Sequence, residues 1–172
     1  LYSSAVSDVC KRQGPWMDGA DVPPTRLEAA KHLIRDLAAR RAGAKTGLIA
    51  YAGTSHLVLP PTDDANLLDL FTQALVSDLI GQDGRDAAGS IALAAQVLAA
   101  ERAGGTLLLL TDGADASGLD AVRQRAQAAA DLQVLVMAVG QSGLDKDGLQ
   151  NLARAAGAPL GSLTASPDDL DW

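Results

Sequence analysis

Cysteine, aromatic residues and basic charge are all scarce in this 172-residue chain. A single cysteine excludes an internal disulfide, so cysteine usage gives no indication of compartment. Lys and Arg number 14 against 21 Asp and Glu, a formal net charge of −7. No basic stripe exists to displace counterions from phosphates, which excludes nucleic acid as a partner. No apolar run approaches the roughly 18 residues of a membrane span. The first residues, LYSSAVSDVCKRQ, lack the apolar centre of a signal peptide.

Enzyme signatures are missing as well. Gly43-Ala44-Lys45-Thr46 resembles the tail of a phosphate loop, but the earlier glycine is absent and a strand follows where a helix is required. Gly53-Thr54-Ser55-His56-Leu57 lacks the closing glycine of a nucleophile elbow. No glycine-rich dinucleotide fingerprint follows any strand. His32 and His56 have no ligand spacing between them and read as structural or solvated side chains.

What is present is an ordered α/β pattern: 48% hydrophobic residues, mostly Ala, Leu and Val. The length suits one domain with a sizeable core. Thr106 to Gly113 (TLLLLTDG) is the most informative stretch. Four consecutive leucines read as a strand buried on both faces of a parallel sheet. It stops at Thr111-Asp112-Gly113, which puts a carboxylate at the end of the strand, where open α/β sheets bind. Gly113 is expected to let the backbone turn sharply behind it. The alternative for Asp112 is a simple turn cap.

Further elements follow from local signals. Thr25-Arg26-Leu27-Glu28 is a capping box after Pro23-Pro24, and opens a helix that Gly43 is expected to stop. Thr46 to Ala52 and His56 to Leu59 read as strands, the second ended by Pro60-Pro61. Asp63 or Asp64 caps a helix with an apolar row from Leu67 to Leu79. An Ala-rich helix spans about 87–103, and Ser117-Gly118-Leu119-Asp120 is a capping box for the next. Val134 to Val139 is a buried strand, and 147–156 a helix closed by Gly157. Such alternation predicts βα crossovers and a mostly parallel sheet between two helical layers.

The ends differ in character from the middle. Ser166-Pro167-Asp168-Asp169 is a helix start followed by only three residues. Asp8-Val9-Cys10-Lys11-Arg12-Gln13 resembles the translated end of a sequencing adapter, the alternative being a genuine polar arm. Residues 1–13 are therefore expected to be a non-native segment, and 14–172 one domain cut at both ends. Asp63-Asp64 and Asp168-Asp169 read as helix N-terminal charges.

Taken in order, these residues resemble a von Willebrand factor type A domain, closest to the membrane-anchored bacterial Bat-type aerotolerance proteins. The resemblance spans Trp16 to Trp172. It rests on Met17, Asp21-Val22, Pro24, Arg26-Leu27-Glu28-Ala29-Ala30-Lys31, Gly47 to Gly53, Leu59 to Asp64 and Thr111-Asp112-Gly113. It implies a Rossmann-like sheet with helices on both faces, here expected to lack its native first strand, because Leu1, Ala5 and Val9 offer little to a strand buried on both sides. Such a fragment is expected to be less stable than the domain in its parent.

The resemblance also implies a metal-ion-dependent adhesion site holding Mg²⁺. Its ligands come from an Asp-x-Ser-x-Ser loop, a threonine before the third helix and the Asp of Thr-Asp-Gly. Only Asp112 matches, as a remnant. Trp16 and Gly14 stand at the two serines, Arg12 at the leading Asp, and Arg85 at the threonine in Gly84-Arg85-Asp86. A guanidinium about 4 Å from a cation opposes each unit of its charge by roughly 4 kcal/mol at an effective dielectric near 20. No cofactor is therefore expected in this chain, with Arg85 pairing to Asp112 or Asp86 unless it swings out to solvent. Trp16 is either an exposed anchor or a packed lid.

The implied function is a non-enzymatic protein-interaction domain of a bacterial inner-membrane protein, the domain itself periplasmic. Implied partners are sibling proteins of the same family and a MoxR-type ATPase, with the membrane reached only through flanking segments. The expected contact edge comprises Trp16, Met17, Thr54, Arg85, Asp86, Thr111, Asp112 and Gly113. The alternative is a Rossmann-like enzyme or small-ligand binder using the same edge.

Overall fold

The computed structural model describes residues 6–12, 15–41, 43–77 and 79–163, with the side chains of 6–12, 15, 16 and 163 outside that description. Along these residues strands and helices alternate as β1 (Val6–Arg12), α1 (Arg26–Arg40), β2 (Thr46–Tyr51), β3 (Ser55–Thr62), α2 (Ala65–Gln73) and α3 (Ala87–Glu101). There follow β4 (Gly105–Thr111), α4 (Leu119–Ala128), β5 (Leu132–Val139), α5 (Lys146–Ala156) and β6 (Leu160–Leu163). One six-stranded sheet has the order β3-β2-β1-β4-β5-β6, parallel throughout except for antiparallel β3 at one edge.

The leucine run lies in β4, between β1 and β5, where both faces are dry. Leu107 and Leu109 pack with Ile91 and Leu98 of α3, Val122 of α4 and Leu152 of α5. Leu108 and Leu110 pack on the opposite face with Leu27, Leu33 and Ile34 of α1 and Leu68 of α2. The α/β sandwich read from the sequence is thus observed, with two cores sharing one sheet.

The slot of the first central strand is taken by Val6–Arg12, paired to β2 and β4. Parallel ladders are built from backbone amides and carbonyls, so a polar segment can occupy the position. Four local expectations are corrected. β3 runs through Pro60 and Pro61 to Thr62, because an edge strand can leave a donor unpaired. α2 ends at Gln73, short of Leu79. There Thr72 turns its hydroxyl back onto the Leu68 carbonyl (2.7 Å), Leu75 folds into the core, and Leu79 remains half exposed. Ser117 caps nothing: it sits in a 3₁₀ turn, Ala116–Gly118, and α4 starts behind Gly118 without a side-chain cap. α1 ends at Arg40, before Gly43, which instead takes φ +84° in the turn beyond.

Other caps are as read. Thr25 accepts from the Glu28 amide, Asp64 from Asn66 and Leu67, and Gly157 closes α5 in the left-handed region. The helix start at Ser166-Pro167-Asp168-Asp169 lies outside the described residues.

Candidate functional site

The parallel strands deliver their carboxyl ends to one edge of the sheet, and the loops after β1, β2, β4 and β5 meet there. Asp112 follows β4 directly and is only 4% exposed. Two guanidiniums flank it. Arg26 Nη1 stands 3.7 Å from Oδ2, and Arg85 Nε stands 3.8 Å from Oδ1. Both distances exceed hydrogen-bond range, so these are charge contacts.

Arg26 opens α1 and is the best-anchored group of the edge. Its Nε and Nη2 fork onto the Asp21 carboxylate at 2.7 and 2.9 Å, and Nη2 also donates to the Ser142 carbonyl at 2.6 Å. Asp21 in turn accepts from the amides of Gln141 (2.7 Å) and Ser142 (2.8 Å). One ion pair therefore ties together the loops after β1, β4 and β5. Hydrogen bonds from Arg26, aided by the two amides and opposed by burial, hold the Asp21 carboxyl far below its usual range. The same pairing raises the Arg26 pKa. Gly140, at φ +141°, leaves room for this guanidinium, since a Cβ there would approach Arg26 Nε to 2.9 Å.

Arg85 is positioned by a backbone contact. Gly53 after β2 and Gly84 before α3 meet so closely that a Cβ on Gly84 would lie 2.8 Å from Gly53 Cα, and Gly84 has φ +145°. The Asp86 amide then bonds the Ala52 carbonyl at 2.7 Å, fixing Arg85 beside β4. Gly84→Ala should cost about 1–3 kcal/mol from backbone conformation alone, before the overlap with Gly53. Urea unfolding checks this; an unchanged midpoint would mean that the loop is not held against Gly53.

The expected edge residues fall into groups. Arg85 meets Asp112, as one of its expected partners, but its hydrogen bond goes to Asp115 (Nη1 to Oδ1, 3.2 Å) rather than to Asp86. Asp86 is committed elsewhere: it caps α3 by accepting from Gly89 and takes the Ser55 hydroxyl at 3.2 Å. Thr54 is half-buried and its hydroxyl lies 2.8 Å from His56 Nε2. Met17 and Thr111 are fully buried and cannot touch a partner. Met17 packs on α1, while the Thr111 hydroxyl donates to the Gly113 carbonyl at 2.8 Å. Gly113 does not take a positive φ. Its missing Cβ instead makes room for Arg85 Nη2 and Asp145, each 3.1 Å from where a Cβ would stand. The Trp16 side chain, Gly14 and the Arg12 side chain lie outside the described residues.

Asp21, Arg26 and Asp115 take part in the edge without having been read from the sequence as site residues. Only the spacing Asp21-Val22-Pro23-Pro24-Thr25-Arg26 hinted at a local pair, and Gln141 and Ser142 are more than 110 residues distant.

A divalent cation fits this arrangement poorly. A hard cation such as Mg²⁺ needs about six oxygens, and among the described residues no group of three His, Cys, Asp or Glu could hold a metal. A dication beside Asp112 would meet two guanidiniums, each opposing every unit of its charge by roughly 4 kcal/mol at about 4 Å.

The model of the von Willebrand factor type A domain matches residues 14–114. The structure of BatB from Bacteroides thetaiotaomicron is similar, at 23% identity over 94% of this chain and 91% of that one, with a TM-score of 0.79. An aerotolerance-related membrane protein from Bacteroides fragilis is 23% identical over 96% of this chain and 93% of that one, with a TM-score of 0.77. The VWA domain of SpRpn10 is 18% identical, over 95% and 89% of the two chains, with a TM-score of 0.71. The curated proteins contain no match to the sequence.

Proposed function

Because the chain belongs to the von Willebrand factor type A domain family, we propose that it is a non-enzymatic protein-interaction domain that docks its partners at the carboxyl edge of the sheet. The observation that carries this reading is the clamped edge itself: three loops fixed to one another through Arg26, Asp21 and Asp112. A pre-formed surface binds a protein at a lower ordering cost. It needs no divalent ion, since Arg85 stands beside Asp112 as a tethered cation.

The resemblance to BatB and to an aerotolerance-related membrane protein supports a place in a membrane-associated bacterial complex. On this reading the domain is periplasmic, its parent is held in the inner membrane, and its partners are sibling family members and a MoxR-type ATPase. Among the described residues no helix is long and apolar enough to cross a membrane, so anchoring would fall to other segments of the parent.

Photo-crosslinking tests the docking edge. A benzophenone side chain at exposed Ser117, on the edge, should give a discrete crosslinked product in membranes carrying the parent protein. The same group at exposed Ala130, at the opposite end of the sheet, should not. Crosslinks from Ala130 alone would overturn the proposal.

A further inference from the structure

The lateral edge of the sheet at β3 is open, to the side of the loops that meet at the carboxyl ends. No strand lies beyond β3, whose other side pairs with β2. The hairpin between them fixes which backbone groups point outward. Ala52 donates to the Thr54 carbonyl at 2.9 Å, a bond that flanks the Tyr51–Ser55 pair. Antiparallel pairs alternate, so His56 exchanges hydrogen bonds with Ala50, while Ser55 and Leu57 turn their N–H and C=O away from β2. Among the described residues, no backbone group from another segment meets them.

This half of the strand lacks the usual guards. SHLVLPPT contains no Asp, Glu, Lys or Arg, although edges that must stay unpaired are commonly charged. Its protection lies lower: the register shifts between Leu57 and Leu59, and Pro60 and Pro61 have no N–H. Both faces of the open stretch leave room for side chains. On the face of α1 and α2, a cavity of about 510 Å³ is walled by Ala50, His56, Val58, Leu79, Ile80 and Gln82. Leu79, on that wall, is 50% exposed. On the other face Leu57 is 39% exposed. An added strand would set alternate side chains on the two faces, one row over the cavity and one against Leu57.

We propose that β3 takes a short extended segment of a protein partner as a seventh strand, with an apolar side chain of that segment in the cavity. Backbone pairing supplies the affinity and the cavity the selectivity. The segment is uncharged where it meets the edge, since β3 has no charge to pair with an acid or a base. A second copy of this chain fits worse. Its His56 and Val58 already line its own cavity, so it would bring nothing to fill this one. Two folded copies meeting through so few residues would also fall short of the roughly 1,200 Å² that stable interfaces bury.

The test is selection of binders to the protein from a phage-displayed library of random linear heptapeptides. Selected peptides, synthesised and labelled, should bind in fluorescence anisotropy and share alternating apolar residues without charge. Their binding should slow amide hydrogen exchange at Ser55 and Leu57, and leave His56, already bonded to β2, unchanged. N-methylation should abolish binding at alternate peptide positions only. Leu57→Pro removes one outward donor while sparing the ladder. It should weaken binding about tenfold, the loss of one backbone hydrogen bond with its partner left unpaired. Leu79→Ser, on the cavity wall, should weaken binding several-fold, whereas Leu70→Ser, an equally apolar loss on α2, should not. The N-methyl series needs no altered protein, so it decides the matter even where Leu57→Pro fails to fold. Strand addition is overturned if no peptide is selected, if exchange slows at the carboxyl-edge loops instead, or if N-methylation acts without alternation. It is also overturned if Leu70→Ser weakens binding as much as Leu79→Ser.

Discussion

Arg26→Met should lower the unfolding free energy by about 3 kcal/mol, the low end of the cost of breaking a buried ion pair. The side chain is 8% exposed and Asp21 14% exposed, so little water is available to either. Removing Arg26 strips Asp21 of its two shortest side-chain bonds and leaves the Ser142 carbonyl without its guanidinium donor. The loss falls short of the upper end because the Gln141 and Ser142 amides still solvate the Asp21 carboxylate. Chemical unfolding at neutral pH measures this, and hydrogen exchange at Gln141 and Ser142 should speed up with it. If stability falls but those amides stay protected, the three-loop clamp is not what Arg26 supplies.

The same pair imposes a direction on pH dependence. The native carboxyl of Asp21 is held well below its ordinary value of 3.8, which is the value it regains on unfolding. A depressed native pKa contributes stability that is fully present above the unfolded value and declines as pH falls through it toward the native one. Part of the acid destabilisation below about pH 4 should therefore belong to this residue. In Asp21→Asn that part should be absent: a less stable protein at pH 7, with a shallower decline below pH 4.

Leu109→Ala should cost about 4 kcal/mol, in the upper part of the range for truncating buried leucines. Leu109 is 0% exposed and sits in β4, flanked on both sides by other strands. It packs on α3 and α5, whose contacts are rich in alanine and so offer few long side chains to collapse into the gap. Leu70→Ala, at a 63% exposed position of α2, should change stability by less than about 0.5 kcal/mol. Urea midpoints for the two variants compare them directly. Equal effects would contradict the assignment of β4 to the shared centre of both cores.

How much of this is legible in the chain depends on how local the cause is. The leucine strand is legible because burial on both faces requires an unbroken apolar run, and Leu107 to Leu110 supplies it. The caps at Thr25, Asp64 and Gly157 are legible because each acts within four residues. β3 is misread at Pro60 because the penalty for a missing donor depends on whether a neighbouring strand needs it, which only the topology decides. β6 gives no signal at all: Leu160-Gly161-Ser162-Leu163 has neither β-branched residues nor alternation, and is held by pairing to β5. At the site, Asp112 and Arg85 could be read because a strand end and a family position mark them. Asp115 could not, nor could the ties of Arg26 and Asp21 to Ser142, Gln141 and Asp112, since these join loops that meet only after the sheet has formed.

The central claim is that Asp112 is served by the chain's own guanidiniums and not by a bound ion. Thermal unfolding with and without millimolar Mg²⁺ or Mn²⁺ tests it most directly, because any ion that binds the native state alone must raise the melting temperature. The account predicts superimposable transitions in the two conditions. A rise of several degrees that disappears in Asp112→Ala would contradict it.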